Sequence, residues 1–183
     1  MSSFEFIFSL FGLLLGLALA EALGGLARAL KASHRVRIGW PTALLGLLVA
    51  CDVVTFWMYG WALRERIPVT WPVMFGGFVV TAALFVGASL IFPEQPEDHD
   101  DLDAHFERHR RTVLGVLLFA NVALMATALH LVGLGALSSL KAIVTSWSMF
   151  PVCLLAIVTT RRPVVIGCMA WMLMLYPLSV LWP

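Results

Sequence analysis

Six runs of roughly twenty apolar residues fill this chain, at about 4–30, 40–63, 69–92, 112–132, 137–159 and 163–183, with short polar breaks between them. A helix of that length reaches about 30 Å, the depth of a bilayer's hydrocarbon core. No soluble fold of 183 residues can hide six such helices on every side. With 61% hydrophobic and 13% charged residues, lipid is the solvent for most of the chain. The expected fold is therefore all-α: a polytopic membrane protein of six transmembrane helices.

One polar stretch, Glu94 to Arg111, divides the apolar sequence into blocks 1–93 and 112–183, each long enough for three crossings. It holds seven of the eleven acidic residues. Asp100 or Asp101 is placed to cap a helix through Leu102, His105, Phe106 and His109 that runs on into the fourth span. Leu102 and Phe106 would press on the membrane face, leaving the other side solvated. Counting Lys and Arg by side gives nine on the first, third and fifth loops and three on the termini with the second and fourth. Positive charge marks the cytoplasmic side, so both termini are expected outside a bacterial-type cytoplasmic membrane and residues 94–111 inside. Ala18, Leu19 and Ala20 resemble a signal-peptidase site, but Met1 to Phe8 lacks Lys and Arg, which predicts a retained first helix.

Gly12, Gly16, Ala20 and Gly24 recur every four residues in the first span. Small residues so spaced suit close helix packing, within the chain or in a homo-oligomer. The halves also echo one another. Val53-Val54-Thr55-Phe56-Trp57 matches Ile143-Val144-Thr145-Ser146-Trp147, Pro72 to Gly76 matches Pro163 to Gly167, and Ser89 to Pro93 matches Ser179 to Pro183. Three matches in order suggest a duplicated three-span unit. An odd number of crossings makes such copies inverted, a plan that places working sites near mid-membrane.

Asp52 is the sharpest candidate for chemistry. A carboxylate near mid-bilayer costs at least about 2.5 kcal/mol, so it must face protein or water, where it can bind a cation or exchange a proton. Lys141 falls beside it when the halves are aligned, and a buried Asp52–Lys141 pair is the structural alternative. Glu21 lies beside the small-residue stripe; Arg28 shares its face but sits about 10 Å along the helix, too far for a direct bond. Asn121, with Thr55 or Thr145, is positioned to line a polar path. His130 reads as an interfacial side chain. His105 and His109 have the i, i+4 spacing of metal ligands but no dependable further ligands, so no metal is assigned.

Cys51, Cys153 and Cys168 stand singly without CxxC spacing and read as packing residues. Basic residues sit at loop ends instead of on one face, which argues against nucleic acid. No catalytic motif or cofactor fingerprint appears, so an enzyme is not expected. The leading expectation is a small channel or transporter for protons, a small cation or a neutral solute, with Asp52, Glu21, Lys141 and Asn121 as its polar core. The alternative is a non-transporting membrane subunit whose 97–111 helix docks a cytoplasmic protein partner.

Overall fold

The computed structural model describes residues 3–32, 34, 39–93 and 102–182. Six helices among them are long and apolar enough to cross a membrane. They are α1 (Ser3–Lys31), α2 (Trp40–Ala62), α3 (Trp71–Ser89), α4 (Leu102–Val132), α5 (Leu140–Val158) and α6 (Arg162–Leu181). The chain is thus a multi-pass, all-helical membrane protein. Pro41, Pro72 and Pro163 lie in the first turns of α2, α3 and α6, where a missing amide hydrogen removes no helical bond. Gly133, at φ 85°, takes the left-handed turn that stops α4, and its amide donates to the Leu129 carbonyl. The proposed caps Asp100 and Asp101 lie outside the described residues.

Four helices form a closed ring: α2 packs on α4 and α6, and α5 packs on the same two. Outside it, α1 lies on α2 and α3, and α3 reaches α4. Phe92, just beyond α3, holds this outer layer to the ring. A β-carbon on Gly25 of α1 would lie 2.5 Å from its ring, and one on Gly46 of α2 would lie 2.9 Å away. Both glycines are therefore needed to admit an aromatic ring between the helices.

Within the chain, the close contacts of α1 follow a different line from the expected stripe. Among the described residues, Gly12 does meet a neighbour, Trp57, but Gly16 has nothing within 4 Å, and the only side chain near Gly24 is Arg28 of its own helix. Ala20 is exposed. The packed face runs instead through Leu15, Ala18, Ala22, Gly25 and Ala29. At about 100° per residue, a strict four-residue step drifts about 40° each time, so Gly12 and Gly24 point about 120° apart. Mixing steps of three and four keeps a stripe on one face.

The duplication is not matched by the packing. In the first half α1 is central, touching α2 and α3 while these two barely meet; in the second half α5 is central, between α4 and α6. Copies of one unit would repeat the same pairings, so the packing lends the short sequence matches no support.

The polar segment does continue directly into α4. At 1.5 Å per residue, the 31 residues of α4 make a helix of about 46 Å, longer than the roughly 30 Å of a hydrocarbon core. Leu102 and Phe106 do not press on lipid as expected: both are buried in the protein core. The end of α3 and the beginning of α2 cover this face. His105 Nε2 bonds the Leu90 carbonyl at 3.0 Å, and Thr42 Oγ1 donates to the Leu102 carbonyl at 3.5 Å.

Candidate functional site

Asp52 occupies the middle of α2 and is 2% exposed. Its carboxylate is held by two other helices of the ring. Asn121 Nδ2, from α4, donates to Oδ1 at 2.9 Å and lies 3.1 Å from Oδ2, while also reaching the Leu117 carbonyl at 3.0 Å. From α6, the Tyr176 hydroxyl donates to Oδ1 at 3.2 Å. Both donors are neutral. Among the described residues, no Lys, Arg or His pairs with this carboxylate.

Of the four polar residues singled out from sequence, the fold joins only Asp52 and Asn121. Lys141 is turned to the end of the ring, where Nζ donates to the Trp182 carbonyl and ties α5 to the end of α6. The Asp52–Lys141 pair is thus absent; Lys141 sits at the first turn of α5, whereas Asp52 is about three turns from the end of α2. Glu21 is paired with Arg28 at 3.7 Å on a half-exposed face, contrary to the separation argued from helix rise. Backbone rise counts only Cα positions. A long arginine tilts toward the N-terminus and closes two turns of distance.

Tyr176 is the member that sequence reasoning missed. A signal was present: it is one of only two tyrosines, set within an apolar run, and a buried phenol hydroxyl needs a partner.

Above the carboxylate, between α2, α4, α5 and α6 and bordered on one side by Leu19 and Leu23 of α1, lies a cavity of about 700 Å³. It occupies the half of the ring nearest the α2–α3 and α4–α5 connections. Asp52, Asn121 and Tyr176 lie at its deep end, and Met58 and Val180, both largely exposed, mark the opposite one. Its walls are mostly apolar, with Leu124, Met125, Met149 and Phe150 prominent. Thr55 and Thr145 also line it, but each hydroxyl donates to a carbonyl one turn back in its own helix, to Cys51 and Lys141.

Two of the cavity's helices are irregular at this level. In α5 the residues Ile143–Trp147 form a π turn, and Ser148 N donates to Ile143 O, five residues back. Pro151 follows and has no amide hydrogen for the Trp147 carbonyl, so a regular ladder cannot run through. In α6 Pro177 lies inside the helix beside Tyr176 and has no amide hydrogen for the carbonyl one turn back. Such breaks are tolerated in membranes where the backbone is covered by protein or borders a cavity, and they recur at binding sites.

Below Asp52 the ring is solid. Val49, Leu114, Leu117, Cys153, Ala156 and Met169 come from all four helices, and none is more than 1% exposed. Beyond this plug, Arg110 of α4 is itself buried and fastens the end of α5. Its Nη1 donates to the Ala156 carbonyl at 2.8 Å, Nη2 to the Thr159 carbonyl at 2.9 Å, and Nε to Glu107 Oε2 at 2.7 Å. Carbonyls at a helix C-terminus lack donors, and a guanidinium supplies both donors and charge against the helix dipole. Arg162, opening α6, pairs with Asp103 of α4. No motif announced Arg110; it looked like one of several loop arginines.

His109 Nδ1 bonds the His105 carbonyl at 3.1 Å, and the two rings lie 4.3 Å apart, tilted by 31°. No group of three or more His, Cys, Asp or Glu side chains comes together among the described residues. Compared with family models, curated proteins and solved structures, the chain matches none.

Proposed function

We propose that this protein is a small carrier of a bacterial-type cytoplasmic membrane, with both termini outside, that moves protons or a small solute using Asp52 as its working group. The supporting observation is the one-sided cavity: it ends on a buried carboxylate with neutral partners and is closed beyond it by packed hydrocarbon. An ionisable group sunk in a membrane is expensive, and a site approached from one side while plugged on the other suits alternating access. Pro151 and Pro177 supply places where α5 and α6 can bend. The inner plug, with Arg110 beneath it, would then be the gate.

The test is flux. Proteoliposomes holding an entrapped pH-sensitive dye and an imposed pH gradient should lose that gradient faster than empty vesicles. Asp52→Asn should reduce the rate to that of empty vesicles while the protein elutes as a single folded species. Equal rates for wild type and Asp52→Asn would remove the carboxylate from the mechanism. A second reading, a non-transporting subunit that docks a cytoplasmic partner, is favoured by the polar beginning of α4, where Glu107, Arg108 and Arg111 are exposed. It requires vesicles without flux of any kind.

A further inference from the structure

We infer that the cavity above Asp52 is a binding site for a lipophilic organic cation, a compact apolar body carrying one ammonium group. The inference rests on Asp52 as the working group of the proposed site, but it does not need transport. Three observations lead to it.

The first is charge. The carboxylate accepts from Asn121 and Tyr176, which are neutral, and among the described residues the cavity lining contains no Lys, Arg or His. A buried charge is stabilised by an opposite charge that also hydrogen-bonds to it. The one basic residue that alignment of the halves had placed beside Asp52, Lys141, is held at the Trp182 carbonyl instead. A guest ammonium would be the missing counter-ion.

The second is the wall. A bare metal cation needs about six oxygen ligands to replace its water, and a lining of Leu, Met and Phe side chains cannot provide them. An organic cation brings its own hydrocarbon and requires polar contact at one point, which matches a single carboxylate at the end of an apolar chamber. Methionine at 58, 125 and 149 gives surfaces that adapt to irregular shapes, and the faces of Tyr59 and Phe150 attract positive charge.

The third is size. About 700 Å³ is far more than a proton, a water or an alkali ion uses, and it lies within the range of pockets that enclose small organic ligands.

The probes are three molecules with one ring system: 1-naphthylmethylamine, 1-naphthylmethanol and 1-naphthoate. Radiolabelled forms are dialysed to equilibrium against the full chain in phosphatidylcholine nanodiscs, with uptake by empty discs subtracted. The amine should bind saturably and at least about 30-fold more tightly than the alcohol, and the carboxylate should not bind. Asp52→Asn, which can still accept from Asn121 and Tyr176, should bring amine and alcohol within about threefold of one another. Tyr176→Phe removes a neutral donor but leaves the charge, so the preference for amine should persist. Met125→Trp, filling the chamber, should weaken both neutral and cationic probes.

Equal binding of amine and alcohol by wild type would overturn the inference. So would a preference that survives Asp52→Asn, or binding that Met125→Trp leaves unchanged. Amine preference in nanodiscs beside proteoliposomes without flux would refute the carrier reading alone. Asp52-dependent flux without amine binding would refute the ligand class alone.

Discussion

Replacing Arg110 with methionine removes a guanidinium from the end of the ring below Asp52 while keeping most of its apolar stem. The group is 2% exposed and makes three bonds, and these are unequal. Charged hydrogen bonds contribute about 1.5–3 kcal/mol each, which applies to the carbonyls of Ala156 and Thr159. The bond to Glu107 is worth under about 1 kcal/mol, because that carboxylate is 45% exposed and lies on the same helix. Removing the buried charge also removes its desolvation cost, and water can reach the Thr159 end once the side chain is shortened. The net loss expected for Arg110→Met is therefore about 2–4 kcal/mol. Arg110→Lys should fall between, since an ammonium cannot span two carbonyls three residues apart with a fixed fork. Glu107→Gln should shift stability by less than about 1 kcal/mol. Unfolding by SDS added to mixed micelles, followed by tryptophan fluorescence, ranks the variants. A midpoint for Arg110→Met equal to wild type, or a Glu107→Gln loss as large as that of Arg110→Met, would refute the view that Arg110 fastens α5 to α4.

The remaining predictions concern packing and polar ties. Gly25→Val drives a side chain into Phe92 and should cost about 1–3 kcal/mol in the same titration, whereas Gly16→Ala, with nothing within 4 Å, should be neutral. Glu21→Gln breaks a half-exposed pair and should change stability by less than about 1 kcal/mol. Lys141→Met frees the end of α6 from α5, so amide exchange near Trp182 should quicken while Asp52-dependent binding of the amine probe is retained. Loss of that binding would show that Lys141 acts on the site despite its distance from the carboxylate.

Much of the architecture was legible because lipid imposes a simple rule: backbone polar groups must be satisfied within each span, so length and apolarity alone mark helices. Gly133, Pro41, Pro72 and Pro163 stood where helices stop or start. The site was legible in part for the same reason, since an aspartate in the middle of an apolar helix must be turned toward something polar. Tyr176 and Arg110 were obscure because nothing in their neighbourhoods along the chain reveals a partner 124 or 46 residues away.

By itself, the amino-acid order determined six helices, their approximate ends, the continuation of the polar stretch into α4, and Asp52 as the group demanding explanation. These follow from local quantities: hydropathy over one span, the missing hydrogen of proline and the cost of one charge. Only the tertiary structure decided that Asn121 and Tyr176, not Lys141, face that charge, that Glu21 turns to Arg28, and that α1 packs through Ala18, Ala22 and Gly25. Those outcomes depend on how helices rotate and slide against each other. Such rotations are fixed by steric fit among side chains far apart in the chain, which no single helix records.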